Sequence, residues 1–159
     1  MSTIAKMPGT ARLWVYQATP AFPEDKAAEI KAELGQFASQ WTAHNQQLQA
    51  SADLLHNRFV VLVVDERQAG ASGCSIDSSV RFLKSLQARY GTDLFNRMAF
   101  SYEQGGEVFT VPREEFAALY ASGAIDDETI VFDTLVESLG AFEAGWRKPL
   151  GQSWHKRLV

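Results

Sequence analysis

The one cysteine in this chain, Cys74, lies inside GASGCSID (70–77), between an apolar run at 59–64 and a stretch of helical periodicity. A thiol close to the first turn of a helix has its thiolate stabilised by the free N–H groups and the dipole there, which makes it a candidate nucleophile. Gly70 and Gly73 permit tight backbone conformations, so the N–H groups of Ser75 and Ile76 can converge on an anion beside Gly73. Ser75 or Asp77 can cap the helix that follows, and Asp77 can equally orient a base. The same residues also have a structural reading. An unpaired cysteine often packs as a small hydrophobe, and serine, glycine and aspartate are what any helix start requires.

A cysteine nucleophile needs a base within hydrogen-bond reach, and His44 and His155 are the candidates, with His56 ahead of the apolar run as a third histidine. Spacing does not select among them. Arg97, between Asn96 and Met98, suits an anionic ligand or an ion pair with Asp93. Several known arrangements are missing. The phosphate loop G-x-x-x-x-G-K-[ST] fails because Gly70 and Gly73 stand too close together and no lysine follows. Cysteine phosphatases need an arginine six positions after the cysteine; Val80 is there, and Arg81 misses by one. Neither C-x-x-C nor G-x-S-x-G occurs. Three scattered histidines and one cysteine predict no metal site, and no cofactor is expected.

The elements that must position these residues follow from periodicity. Residues 13–18 put Trp14 and Tyr16 on one face and Leu13 and Val15 on the other, a strand buried on both sides, ended by Thr19-Pro20 and Phe22-Pro23. Residues 24–43 read as an amphipathic helix carrying Ile30, Leu34, Phe37 and Trp41, with His44-Asn45 as its stop. The polar stretch 46–56 is ambiguous and fits a short helix. Residues 58–65 are the clearest strand, apolar throughout their middle. A helix over 75–89 ends at Gly91, a glycine-turned hairpin spans 98–111, a short helix covers 112–121, and 129–132 is a strand. Asp133 is placed to cap a last helix, 134–146, with Leu135, Leu139, Phe142 and Trp146 buried; Trp154 docks the tail. The expectation is an α+β fold in a single domain over 11–159, a mixed four- to five-stranded sheet flanked by about four helices, with residues 1–10 flexible.

A chain of 159 residues, 46% hydrophobic and 21% charged, suits one globular domain. No apolar run reaches membrane-spanning length, and the first ten residues do not form a secretory signal, so a cytoplasmic location is expected. The net charge of −4 is uneven, with +4 on 147–159 and −8 on the rest. A short basic tail on an acidic domain argues against nucleic acid as a partner.

LWVYQA (13–18), FVVLVVDE (59–66), GASGCSID (70–77), TIVFDTLVE (129–137) and SWHKR (153–157) together resemble an uncharacterised group of small bacterial proteins sometimes labelled transporter ATPases. GCSID is the most specific element. The resemblance implies a cytoplasmic bacterial protein and carries over no catalytic residue. The ATPase label conflicts with the missing phosphate loop. The leading functional expectation is a small anionic ligand bound at 70–77 by Gly73, Ser75, Ile76 and Arg97. A Cys74-dependent enzyme using His155 or His44 with Asp77 is one alternative. A protein-interaction module or homo-oligomer presenting tryptophans is the other.

Overall fold

The computed structural model of the chain describes residues 7–159. β1 (Arg12–Gln17) pairs antiparallel with β5 (Phe59–Asp65), which pairs antiparallel with β4 (Gln49–Leu55), so the all-apolar run forms the middle strand of a three-stranded sheet. Alternation sends the two halves of β5 to different cores. Val60, Leu62 and Val64 join Tyr16, Ile30, Leu34, Leu83 and Leu86 under α1 (Ala27–Gln40) and α2 (Gly73–Tyr90). Phe59, Val61 and Val63 join Leu13, Val15, Phe132, Leu139 and Trp146 on the other face.

A second sheet runs in the order β7 (Glu107–Pro112), β6 (Ala99–Gln104), β8 (Ile130–Phe132), β9 (Arg147–Pro149), all antiparallel. α3 (Arg113–Ser122) and the tail cover it through Phe100, Phe116, Ile125 and Leu150. α4 is Leu139–Gly145, and β2 (Thr42–Ala43) with β3 (Gln46–Gln47) makes a small hairpin. The two larger sheets are joined by a polar chain. Gln17 Nε2 donates to the Ala99 carbonyl (3.0 Å), Gln17 Oε1 accepts from Ser101 Oγ, Ser101 shares a hydrogen bond with Thr110 Oγ1 (2.7 Å), and Arg58 Nη1 donates to Thr110 (3.0 Å).

The α+β class, the single domain and the four helices agree with the sequence reading. The strands are divided among three antiparallel sheets of three, two and four strands instead of forming one mixed sheet. One segment differs outright and another in its start. Residues 46–56 are strands: His44-Asn45 and His56-Asn57 all have positive φ, between 51° and 64°, the conformation of tight hairpin turns that β-twist favours. Asn45 is therefore left-handed, as its position after the first helix suggested, but it turns a hairpin instead of ending α1. Asp133 does not cap a helix over 134–146. Its Oδ1 accepts the Leu135 N–H (2.9 Å), an Asx turn, and α4 begins only after Ser138, whose hydroxyl accepts the Ala141 N–H (3.1 Å). Leu135, expected in the core, is 57% exposed.

Residues 1–6 of the segment expected to be flexible lie outside the described residues; from Met7 onward the chain packs on the second core cluster, and the Gly9 carbonyl accepts the Gly140 N–H (2.8 Å). Among the described residues no helix is long and apolar enough to cross a membrane.

Candidate functional site

The turn at 70–77 is tied up by its own side chains. α2 starts at Gly73, two residues earlier than its periodicity suggests, and Ser72 caps it, not Ser75 or Asp77. Ser72 Oγ accepts the Ser75 N–H (3.1 Å), Ser75 Oγ accepts the Ser72 N–H (2.6 Å), and the Ile76 N–H reaches the Ser72 carbonyl (2.9 Å). The two N–H groups expected to hold an anion are thus already engaged. Glu66 adds a carboxylate to the turn, accepting the Ala71 N–H (2.9 Å). Since β5 pairs antiparallel on both sides, the crevice that parallel sheets open beyond their strand ends has no counterpart here.

Cys74 is exposed in the first turn of α2, and Asp77 lies one turn on in the same helix. No histidine is brought to Cys74 by a hydrogen bond among the described residues. His44 is exposed in its hairpin turn. His56 packs edge-on against Phe59 and Phe132. His155 is 1% exposed, stacked on Trp154 and packed on Phe100 and Phe116, with Nδ1 2.6 Å from Ser153 Oγ. Burial lowers its pKa to about 4, so it is neutral and enclosed near pH 7. Gly73 has open space around its Cα. No cluster of metal-ligating side chains occurs among the described residues.

Arg97 sits elsewhere, on a groove along β1. Two cavities of about 560 and 220 Å³ share Val15, Arg97, Thr134 and Leu135, so they adjoin as the two ends of a groove along β1. Its larger end is walled by 134–137 with Arg12, Trp14 and Glu66; its smaller end by Leu94, Met98, Phe100, Arg113 and Trp154. Leu135 and Met98, 57% and 55% exposed, are the two most exposed large hydrophobic side chains among the described residues, and both line it. The Arg97 guanidinium lies over the Tyr16 ring at 6.0 Å, and Arg12 over Trp14 at 4.8 Å. Burial raises the Tyr16 pKa, and the Arg97 charge partly offsets it. Arg12 stands 4.0 Å from Glu66, whereas Arg97 and Arg113, both exposed, have no ion pair among the described residues.

Asp133 sets one wall. Besides the Leu135 N–H, Oδ1 accepts the Trp154 indole N–H (2.9 Å) and Oδ2 the Lys148 ammonium (3.3 Å). Burial pushes this carboxyl up, but those three donors hold it below the usual carboxylate range. One carboxylate thereby fixes both Leu135 and Trp154. Three of the tail's four cations are likewise committed: Arg147 to Glu103, Lys148 to Asp133 and Lys156 to Asp127.

The groove draws on β1, Glu66, 94–100, Arg113, 134–137 and the tail, and of its residues the sequence reading singled out only Arg97 as a ligand contact. Arg113 was missed; its one sequence signal is that it follows the proline opening a short helix. No family model matches the chain, and no curated protein or solved structure matches it.

Proposed function

We propose that this protein is a binding domain for a small ligand with a carboxylate and an apolar body, held in the groove along β1. The observation that carries this reading is Arg97: an exposed cation without an ion pair among the described residues, lining both cavities together with exposed Leu135, with exposed Met98 in the smaller one. Arg113 supplies a second uncommitted cation at the smaller end. A guanidinium on a half-enclosed apolar wall holds a carboxylate with charge-assisted hydrogen bonds stronger than those to bulk-exposed groups. Open apolar surface beside it takes the rest of the ligand.

The anion expected from the sequence is kept and its site is moved. At 70–77 the Ser75 and Ile76 N–H groups are already hydrogen-bonded, so that turn supports the reading less. A cytoplasmic location suits the exposed, unpaired Cys74.

Hexanoate is a suitable probe, followed by the fluorescence of Trp14 and Trp154. Arg97→Gln with Arg113→Gln is expected to weaken its binding at least fivefold, while Cys74→Ser leaves it unchanged. Unchanged hexanoate affinity in the double variant contradicts the reading.

A further inference from the structure

The floor of the groove is the outer edge of a β-strand. In an antiparallel ladder, alternate residues turn both backbone groups toward the partner strand and the others turn them away. For β1 the phase is fixed at both ends. The Leu13 N–H leaves the sheet to reach the Glu137 carbonyl (3.0 Å), and Thr19 exchanges hydrogen bonds with Asp93 (2.9 and 3.0 Å), whereas the Ala18 N–H turns inward to the Arg58 carbonyl (2.7 Å). Odd-numbered residues therefore face outward. Between the two closed ends, the outward N–H and C=O of Val15 and the N–H of Gln17 meet no partner among the described residues. Val15 is only 3% exposed and lines both cavities. Enclosed main-chain groups are nearly always paired, and an unpaired strand edge is a template for another chain.

We infer that the groove receives the free C-terminal tail of a partner protein, added as an extended strand to the outer edge of β1 with its terminal carboxylate on Arg97. This rests on the reading of the groove as a carboxylate site and names the ligand that brings the carboxylate. Main-chain pairing with Val15 and Gln17 supplies register, as in other strand-addition complexes. Leu13 to Gln17 spans about 14 Å, room for three or four extended residues. Side chains alternating along that segment reach Leu135 and Met98. The chain's own bridges, Arg12 to Ser138 and Thr19 to Asp93, close the edge at both ends, which favours a chain terminus over the middle of a longer segment. The acidic group matches Arg97 and Arg113, the two groove arginines without an ion pair among the described residues.

The test uses the full chain and pooled random hexapeptides anchored by their N-termini, in three forms: free carboxylate, C-terminal amide, and free carboxylate with the last three backbone nitrogens methylated. The free-carboxylate pool is expected to retain the protein, and the other two to retain it at least tenfold less. Arg97→Gln is expected to lower retention on the first pool at least fivefold and to leave the amide pool unaffected. Equal retention by the methylated pool overturns the strand pairing; Arg97-dependent retention would then still support a carboxylate site. No retention by the free-carboxylate pool also overturns the inference. In that case hexanoate binding lost in Arg97→Gln preserves the broader reading, and no hexanoate binding removes both.

Discussion

His155 shows how one residue type carries opposite roles depending on where the chain puts it. As a sequence feature beside Trp154 it is a candidate base; in the fold it is a packing residue, enclosed by Phe100, Phe116 and Trp154. Its folded pKa of about 4 lies below the ordinary value of 6.5. On acidification the unfolded chain therefore takes up a proton first. Stability contributed by neutral His155 is complete above about pH 6.5 and is lost as pH falls toward 4, about 3 kcal/mol in total. Urea titrations across that window are expected to show this slope in the native protein and to lose most of it in His155→Asn. An equal slope in the variant would mean that other groups set the acid response. Asp133 acts in a lower window: its carboxyl is held below its ordinary range, so its contribution persists until pH falls through that depressed value.

The β1 element has a testable asymmetry. The Trp14 and Tyr16 amides turn toward β5, while those of Val15 and Gln17 turn to the groove, so hydrogen exchange is expected to alternate along one strand. Fast exchange at 15 and 17 beside slow exchange at 14 and 16 is the expected outcome; uniform protection would mean that the outward amides are hydrogen-bonded. The strand itself was legible from Leu13 and Val15 alternating with Trp14 and Tyr16, and β5 from its unbroken apolar run. β4 was not, because Gln49, Ser51 and Asp53 carry no strand signal and become a strand by pairing with β5. The helix read over 134–146 starts only at Leu139 for a related reason. Leu135, Leu139, Phe142 and Trp146 recur at helical spacing, yet the Asx turn at Asp133 and the bond from Leu13 to Glu137 draw the first of them into the groove wall. At 70–77 the residue types were legible, but Ser72 was not recognised as the cap that binds the Ser75 N–H.

At the scale of the whole molecule, the groove exists because two sheets meet at β1 without merging. The Gln17–Ser101–Thr110–Arg58 chain ties them at one end, Glu137 ties β1 at the other, and the outward main-chain groups between are left unpaired among the described residues. No local pattern reports such a gap, since β1 is walled by residues as remote in sequence as Glu66, 94–100, Arg113, 134–137 and 154–158. The central claim is that ligand binding occurs here and not at the start of α2. Its most direct test is an amide chemical-shift map of the ¹⁵N-labelled chain titrated with hexanoate. The account predicts that the Val15, Gln17 and Arg97 signals move while those of Gly73 and Cys74 stay fixed. Shifts confined to Gly73, Cys74 and their neighbours, with Val15 and Gln17 silent, would contradict it.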